Sequence, residues 1–141
     1  MKTAKELLLE YLENIGNPDK LVDLFAEDGA LELPYHASLG RTWRWEGRDV
    51  LHSFFKGVPQ TFQNFRFQNI KILIETPDQV FAEYEVDTVA NKTGRPYHQT
   101  YMGRLESENG KIKLIREALD MIAVARALFP NGLEDIYTEK K

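Results

Sequence analysis

The chain contains no cysteine. Disulfides, thiol nucleophiles and thiolate metal sites are therefore excluded, and only non-thiol chemistry remains. Histidine is scarce: the three, His36, His52 and His98, include no pair spaced as on one helical turn, so no metal site is expected. No apolar run approaches the roughly 20 residues needed to span a bilayer. Met1-Lys2-Thr3 leads directly into an amphipathic pattern, without the apolar core of a signal peptide, so the chain is expected to be cytoplasmic with no membrane partner. An excess of positive charge is also missing: the net charge of −4 gives no general attraction to phosphates, so nucleic acid is not expected as a partner. Neither a glycine-rich phosphate loop nor a G-x-S-x-G elbow is present, which leaves nucleotide binding and serine-triad chemistry without a motif. No cofactor is expected.

What is present suits a globular protein. With 43% hydrophobic and 28% charged residues over 141 positions, one domain spanning 1–141 is expected, ending in a charged tail over 134–141. Ala4, Leu7, Leu8, Tyr11, Leu12 and Ile15 recur at helical spacing, and Thr3 with Glu6 forms a capping-box signature. Asn17-Pro18 opens a second helix that should bury Leu21, Val22, Leu24 and Phe25 and end by Asp28-Gly29. A short strand follows over 30–33, stopped by Pro34. The stretch 34–46 has no helical period and carries Tyr35, His36, Trp43 and Trp45, which reads as a loop or short strand with aromatic anchors.

A third helix runs from Arg48, with Val50, Leu51, Phe54, Phe55 and Val58 on one stripe; Gly57 and Pro59 should end it. Its opposite stripe carries Arg48, His52 and Lys56. Four long strands in meander order are expected over 62–75, 80–89, 97–108 and 111–120, and Asn109-Gly110 is a strong hairpin signal between the last two. A short helix over 123–129 closes the pattern. These elements predict an α+β fold: a cone-shaped, curved antiparallel β-sheet, three helices of the N-terminal half packed on its concave face, and a short C-terminal helix. Such a cone encloses a pocket.

Leu24-Phe25-Ala26-Glu27-Asp28-Gly29-Ala30, Glu46-Gly47-Arg48, and Glu108-Asn109-Gly110-Lys111-Ile112 leading to Arg116-Glu117 and Asp120 resemble the nuclear-transport-factor-2-like superfamily. That superfamily includes ketosteroid isomerases, SnoaL-type polyketide cyclases and phenazine-biosynthesis A/B proteins, and the last stretch is most similar to the SnoaL-like and phenazine A/B branch. The resemblance implies homodimerisation through the convex sheet face. It also shows departures. The position of the isomerases' general base, just before the proline ending the first strand, is Leu33 here, and their oxyanion-hole donors would fall near Leu9 and Met102. Standard ketosteroid isomerisation is therefore not expected. Glu117 corresponds to the pocket glutamate of the phenazine-type branch, implied there to act as acid or base.

Glu117 is the leading catalytic candidate, and strand alternation places it on one face with Ile115 and Leu119, opposite Arg116. If that face lines the cone, desolvation should raise its pKa toward neutrality. If it lies at a rim, a cross-strand arginine such as Arg104 should pair with it. His36, in the aromatic segment at the expected pocket mouth, and His98, in alternation with Met102, are the other acid-base candidates. Leu33, Trp43, Trp45, Tyr84, Met102, Ile115 and Leu119 are candidate ligand-binding walls for a small hydrophobic or aromatic molecule. Two functions stand open: a cofactor-independent isomerase, cyclase or dehydratase using Glu117, or a non-catalytic binding or assembly module of the same fold.

Overall fold

A computed structural model describes residues 1–137 of the chain. Helix α1 spans Ala4–Glu13, and its capping box forms as the sequence predicts: Thr3 accepts from the Glu6 amide while the Glu6 carboxylate accepts from the Thr3 amide. The buried face of α1 is Ala4, Leu7, Leu8, Tyr11 and Leu12. Helix α2 is Pro18–Leu24, started by Asn17, whose side chain accepts from the Lys20 amide.

The first departure from the expected elements comes at Phe25, which opens strand β1 (Phe25–Glu32) instead of closing α2. Tertiary pairing overrides the helical spacing: β1 lies parallel to the last strand, Phe25 opposite Ile112, and resumes register at Ala30 opposite Leu114 after a bulge. Gly29 sits in that bulge, where a Cβ would come within 2.6 Å of the Ile112 carbonyl oxygen, so only glycine lets the two backbones approach. The aromatic segment resolves into a 3₁₀ helix, Pro34–Leu39, and a three-residue strand β2, Arg44–Glu46.

Helix α3 spans Arg48–Thr61, passing through Gly57 and Pro59. The carbonyls at its end find side-chain and backbone partners: Asn91 Nδ2 donates to the Pro59 and Gln60 carbonyls at 3.2 and 2.9 Å, and the Asn91 amide to the Thr61 carbonyl. Residues 62–67, expected as strand, form only a bridge between Phe62 and Ala90, and Asn64 adopts a positive φ of 43°. Strands β3 (Gln68–Glu75), β4 (Gln79–Val89), β5 (Pro96–Glu108) and β6 (Lys111–Leu119) make the meander. Helix α4, Met121–Leu128, is capped by the Asp120 carboxylate, which accepts from the Ile122 and Ala123 amides. Of the expected tail, Glu134–Tyr137 is a single helical turn, α5, and residues 138–141 lie outside the described residues.

The fold is α+β, with one curved, unclosed six-stranded sheet in the order β2-β1-β6-β5-β4-β3. It is antiparallel except where β1 joins β6. Burial alternates along β4 and β5, so Ala82, Tyr84 and Val86 share the covered face with Tyr97, Gln99, Tyr101, Gly103 and Leu105. The same face of β6 carries Ile115, Glu117 and Leu119, by their pairing with Leu105, Gly103 and Tyr101. Helix α1 lies on β3 to β6, α3 on β1, and α4 on β5. On the outward face, the buried Glu32 carboxylate is clasped by Arg44 and Arg116, an ion triad that ties β2, β1 and β6 together. Among the described residues no helix is long and apolar enough to cross a membrane.

Candidate functional site

A cavity of about 260 Å³ opens between the helices and the covered face of the sheet. Each surrounding element contributes. Tyr11 comes from α1 and Ile15 from the turn after it, Leu31 from β1, His36 from the 3₁₀ helix, Phe54 and Val58 from α3, Tyr97 and Tyr101 from β5, Glu117 and Leu119 from β6, and Val124 and Leu128 from α4. Phe62, Phe65 and Phe67, in the segment that fails to form strand, fold inward as an aromatic wall. Phe65 packs edge-on against Phe67, whose ring does the same to Tyr101 at 5.4 Å.

Glu117 is 3% exposed on this wall. The Tyr84 hydroxyl donates to its Oε2. Gly103 makes that bond possible. It lies directly between Ala82 and Glu117 in the sheet, and a Cβ there would collide with the Tyr84 hydroxyl and ring. Burial pushes the Glu117 carboxyl up to about 7, and the Tyr84 bond, which favours the carboxylate, only partly opposes it. No arginine neutralises it: Arg116 faces outward to Glu32, and Arg104 pairs with Glu106 at 2.8 Å. The rim pairing with Arg104 is therefore not the arrangement found.

Four phenols surround this carboxyl. Burial raises the pKa of Tyr11, Tyr84, Tyr97 and Tyr101, and Glu117 adds to the effect on each. They remain neutral donors at ordinary pH. Tyr11 was not among the sequence candidates because its spacing marks it as a core residue of α1, and spacing is silent about where a hydroxyl ends. Tyr11 offers a donor from α1 two positions after Leu9, which is itself 38% exposed.

His36 lies at the cavity, 8% exposed, its ring edge-on to Trp45. Because a carbonyl can only accept, the 3.3 Å contact of Nδ1 with the Thr42 carbonyl assigns the proton to Nδ1 and leaves Nε2 free to accept. Desolvation, aided by the Arg41 guanidinium, lowers its pKa, so the ring is neutral at pH 7.

Several sequence candidates fall elsewhere. His98 is exposed on the outward face opposite Asp87, and Met102, 47% exposed, lies on that same face opposite Glu83. Strand alternation turns both away from the cavity. Trp43 is 38% exposed and outside the lining, and Trp45 packs behind it, 4.3 Å from Phe54. Ile115 is fully buried on the covered face but outside the cavity lining, and Tyr84 reaches the site through Glu117. Leu33 and Leu119 line the cavity. His52 binds Asp19 at 2.8 Å at the surface.

With this geometry in view, similarity to known proteins is informative. A family model described as the SnoaL-like domain matches residues 8–115. An uncharacterized PhzA/B-like protein of Pseudomonas aeruginosa is 34% identical over 118 residues, 81% of this chain and 82% of that protein. Uncharacterized protein YesE of Bacillus subtilis is 27% identical over 106 residues, 74% of this chain and 71% of its own length. A crystal structure of a phenazine biosynthesis-related protein from Pseudomonas aeruginosa superposes with a TM-score of 0.77 at 24% identity, covering 89% of this chain and 84% of that one. That last likeness concerns the fold.

Proposed function

Because the chain belongs to the SnoaL-like domain family and buries a carboxyl in an apolar cavity, we propose that it is a cofactor-independent acid-base enzyme acting on a small hydrophobic carbonyl or ring compound. The observation that carries the proposal is Glu117: a carboxyl with a pKa of about 7, walled by aromatic and aliphatic side chains, gives and takes protons near neutral pH. In this reading the Glu117 carboxylate removes a proton from carbon next to a carbonyl, a phenol donates to the oxygen that becomes negative, and the acid returns the proton at another position. His36, neutral with Nε2 free, is the second proton acceptor. Ring isomerisation, cyclisation and dehydration all begin with such a step.

Deuterium exchange tests the proposal. In D₂O, a small apolar ketone such as 2-indanone should exchange its α-protons faster with the protein than without it, followed by NMR. The rate should rise as pH passes through about 7, and Glu117→Gln should lower it by roughly 10²-fold or more. A second reading, a non-catalytic binding module, draws on Leu33, an apolar residue where the isomerases carry their base. Binding of such ketones without exchange would select that reading.

The proposal includes a cytoplasmic homodimer formed through the outward face of the sheet. That face carries exposed apolar side chains on the strands that flank β4, Ile74 of β3 at 67% and Met102 of β5 at 47%, which a second copy would cover. A monomeric mass at micromolar concentration refutes it.

A further inference from the structure

The hydrogen-bond inventory around Glu117 does not balance within the protein. The Gln99 side chain, fully buried, is saturated: its Oε1 accepts from the Thr100 and Asp120 amides at 3.0 and 2.7 Å. Backbone amides only donate, so this atom must be the oxygen. Its Nε2 therefore donates, to the Tyr97 hydroxyl at 3.0 Å and to the Asp120 carbonyl at 2.9 Å. Tyr97 and Tyr101 hydroxyls lie 3.3 Å apart. This pair owns two protons and shares one bond, and Gln99 has no acceptor left for the other. One phenolic proton is left over.

Tyr11 supplies a second. Its hydroxyl bonds to no described residue, yet among the described residues no fully enclosed side-chain polar atom lacks a partner, so its oxygen opens on the cavity. Tyr97, Tyr101 and Tyr11 all line that cavity. An unmatched donor beside an apolar space is costly unless something in that space accepts. We propose that the cavity selects its ligand by an oxygen that accepts from Tyr11 and from the Tyr97–Tyr101 pair, which makes the preferred class a one- or two-ring carbonyl compound or its enolate, in preference to an alcohol, amine or hydrocarbon of the same shape. Size sets the ring count. A dry cavity of about 150 Å³ holds benzene, and this one measures about 260 Å³.

The inference rests on the cavity being a ligand site, as the proposed function requires, and two probes of one shape separate the claims. Acetophenone and α-methylstyrene differ only in a carbonyl oxygen replaced by a methylene. At pH 6 the whole protein should bind acetophenone about tenfold more tightly, measured by NMR titration. Proton counting makes a sharper demand. Tyr97→Phe leaves the Tyr101 proton free, and Tyr101→Phe leaves the Tyr97 proton free, so each alone should weaken acetophenone by no more than about threefold. The double variant leaves none, and its loss should exceed the product of the single losses, with α-methylstyrene binding unchanged as the control for folding. In the native protein, the bound ketone's carbonyl stretch should lie below its position in hexane.

Equal binding of the two probes, strictly multiplicative losses, or a stretch at the hexane value overturns the donor assignment alone. Binding of neither probe overturns it together with the ligand-pocket reading.

Discussion

Replacing Glu117 with glutamine should make the protein more stable at neutral pH and above, by an amount that grows as pH rises from 4.5. In the unfolded chain a glutamate titrates near 4.5, whereas burial holds Glu117 at about 7. The folded state therefore keeps its proton while the unfolded state has already lost it. Stability conferred by the protonated carboxyl is fully present below pH 4.5, falls as pH rises, and is gone once pH exceeds about 7. Each pKa unit corresponds to about 1.4 kcal/mol, so a shift of roughly 2.5 units, the difference between 7 and 4.5, amounts to about 3 kcal/mol.

Glutamine cannot ionise. It keeps the size of the side chain and can still accept from Tyr84, at a fixed cost for an unpaired amide of about 1 kcal/mol that does not vary with pH. The difference in unfolding free energy, variant minus native, should thus climb by about 3 kcal/mol between pH 4.5 and 8 and be flat above. Urea titrations followed by Trp43 and Trp45 fluorescence at equal protomer concentration, at half-unit pH steps, measure it. By melting temperature the same change is roughly 10 °C for a chain of this size. A difference that stays constant from pH 5 to 8 would refute the reasoning, because it would mean that Glu117 ionises in the fold as easily as in water.

The surroundings of the carboxyl give two more expectations. Tyr84→Phe removes the bond that favours the carboxylate, so the Glu117 pKa should rise further and the midpoint of the pH dependence should move up with it; a midpoint that falls contradicts the assignment. Gly103→Ala drives a methyl group into the Tyr84 hydroxyl and should cost about 1–3 kcal/mol in urea titrations. Tyr84→Phe in the same chain removes the atom most in the way, so the double variant should be more stable than the sum of the two single effects predicts.

How legible the site was from the residues differs from one to another. Glu117 could be found because a two-residue period places it with Ile115 and Leu119, and a carboxylate on that stripe needs explanation. His36 could be found because it follows the proline at the strand end. For His98 and Met102 the alternation that points to the cavity is sound in itself, yet period two separates two faces without saying which one is covered. Pairing decides it: Met102 lies opposite Glu83 and Ala118, whereas Tyr101 and Gly103 lie opposite Leu119 and Glu117. The rings of Tyr11, Tyr97 and Tyr101 satisfy every rule for core residues, so nothing in the sequence marks their hydroxyls. Their hydroxyls acquire meaning only when α1 and β5 bring them around a carboxyl carried by β6.

Local chemistry was enough to determine the helical face and capping box of α1, the Asn109-Gly110 turn, and the α+β class, because each depends on interactions within a few residues. Phe25 in β1, the run of α3 through Pro59, the inward fold of Phe62 to Phe67 and the parallel seam between β1 and β6 were decided by tertiary structure. The physical reason is common to all four. Contacts between residues distant in the chain supply free energies that exceed local propensities of about 1 kcal/mol or less per residue, and the pKa of Glu117 is likewise a property of what packs over it.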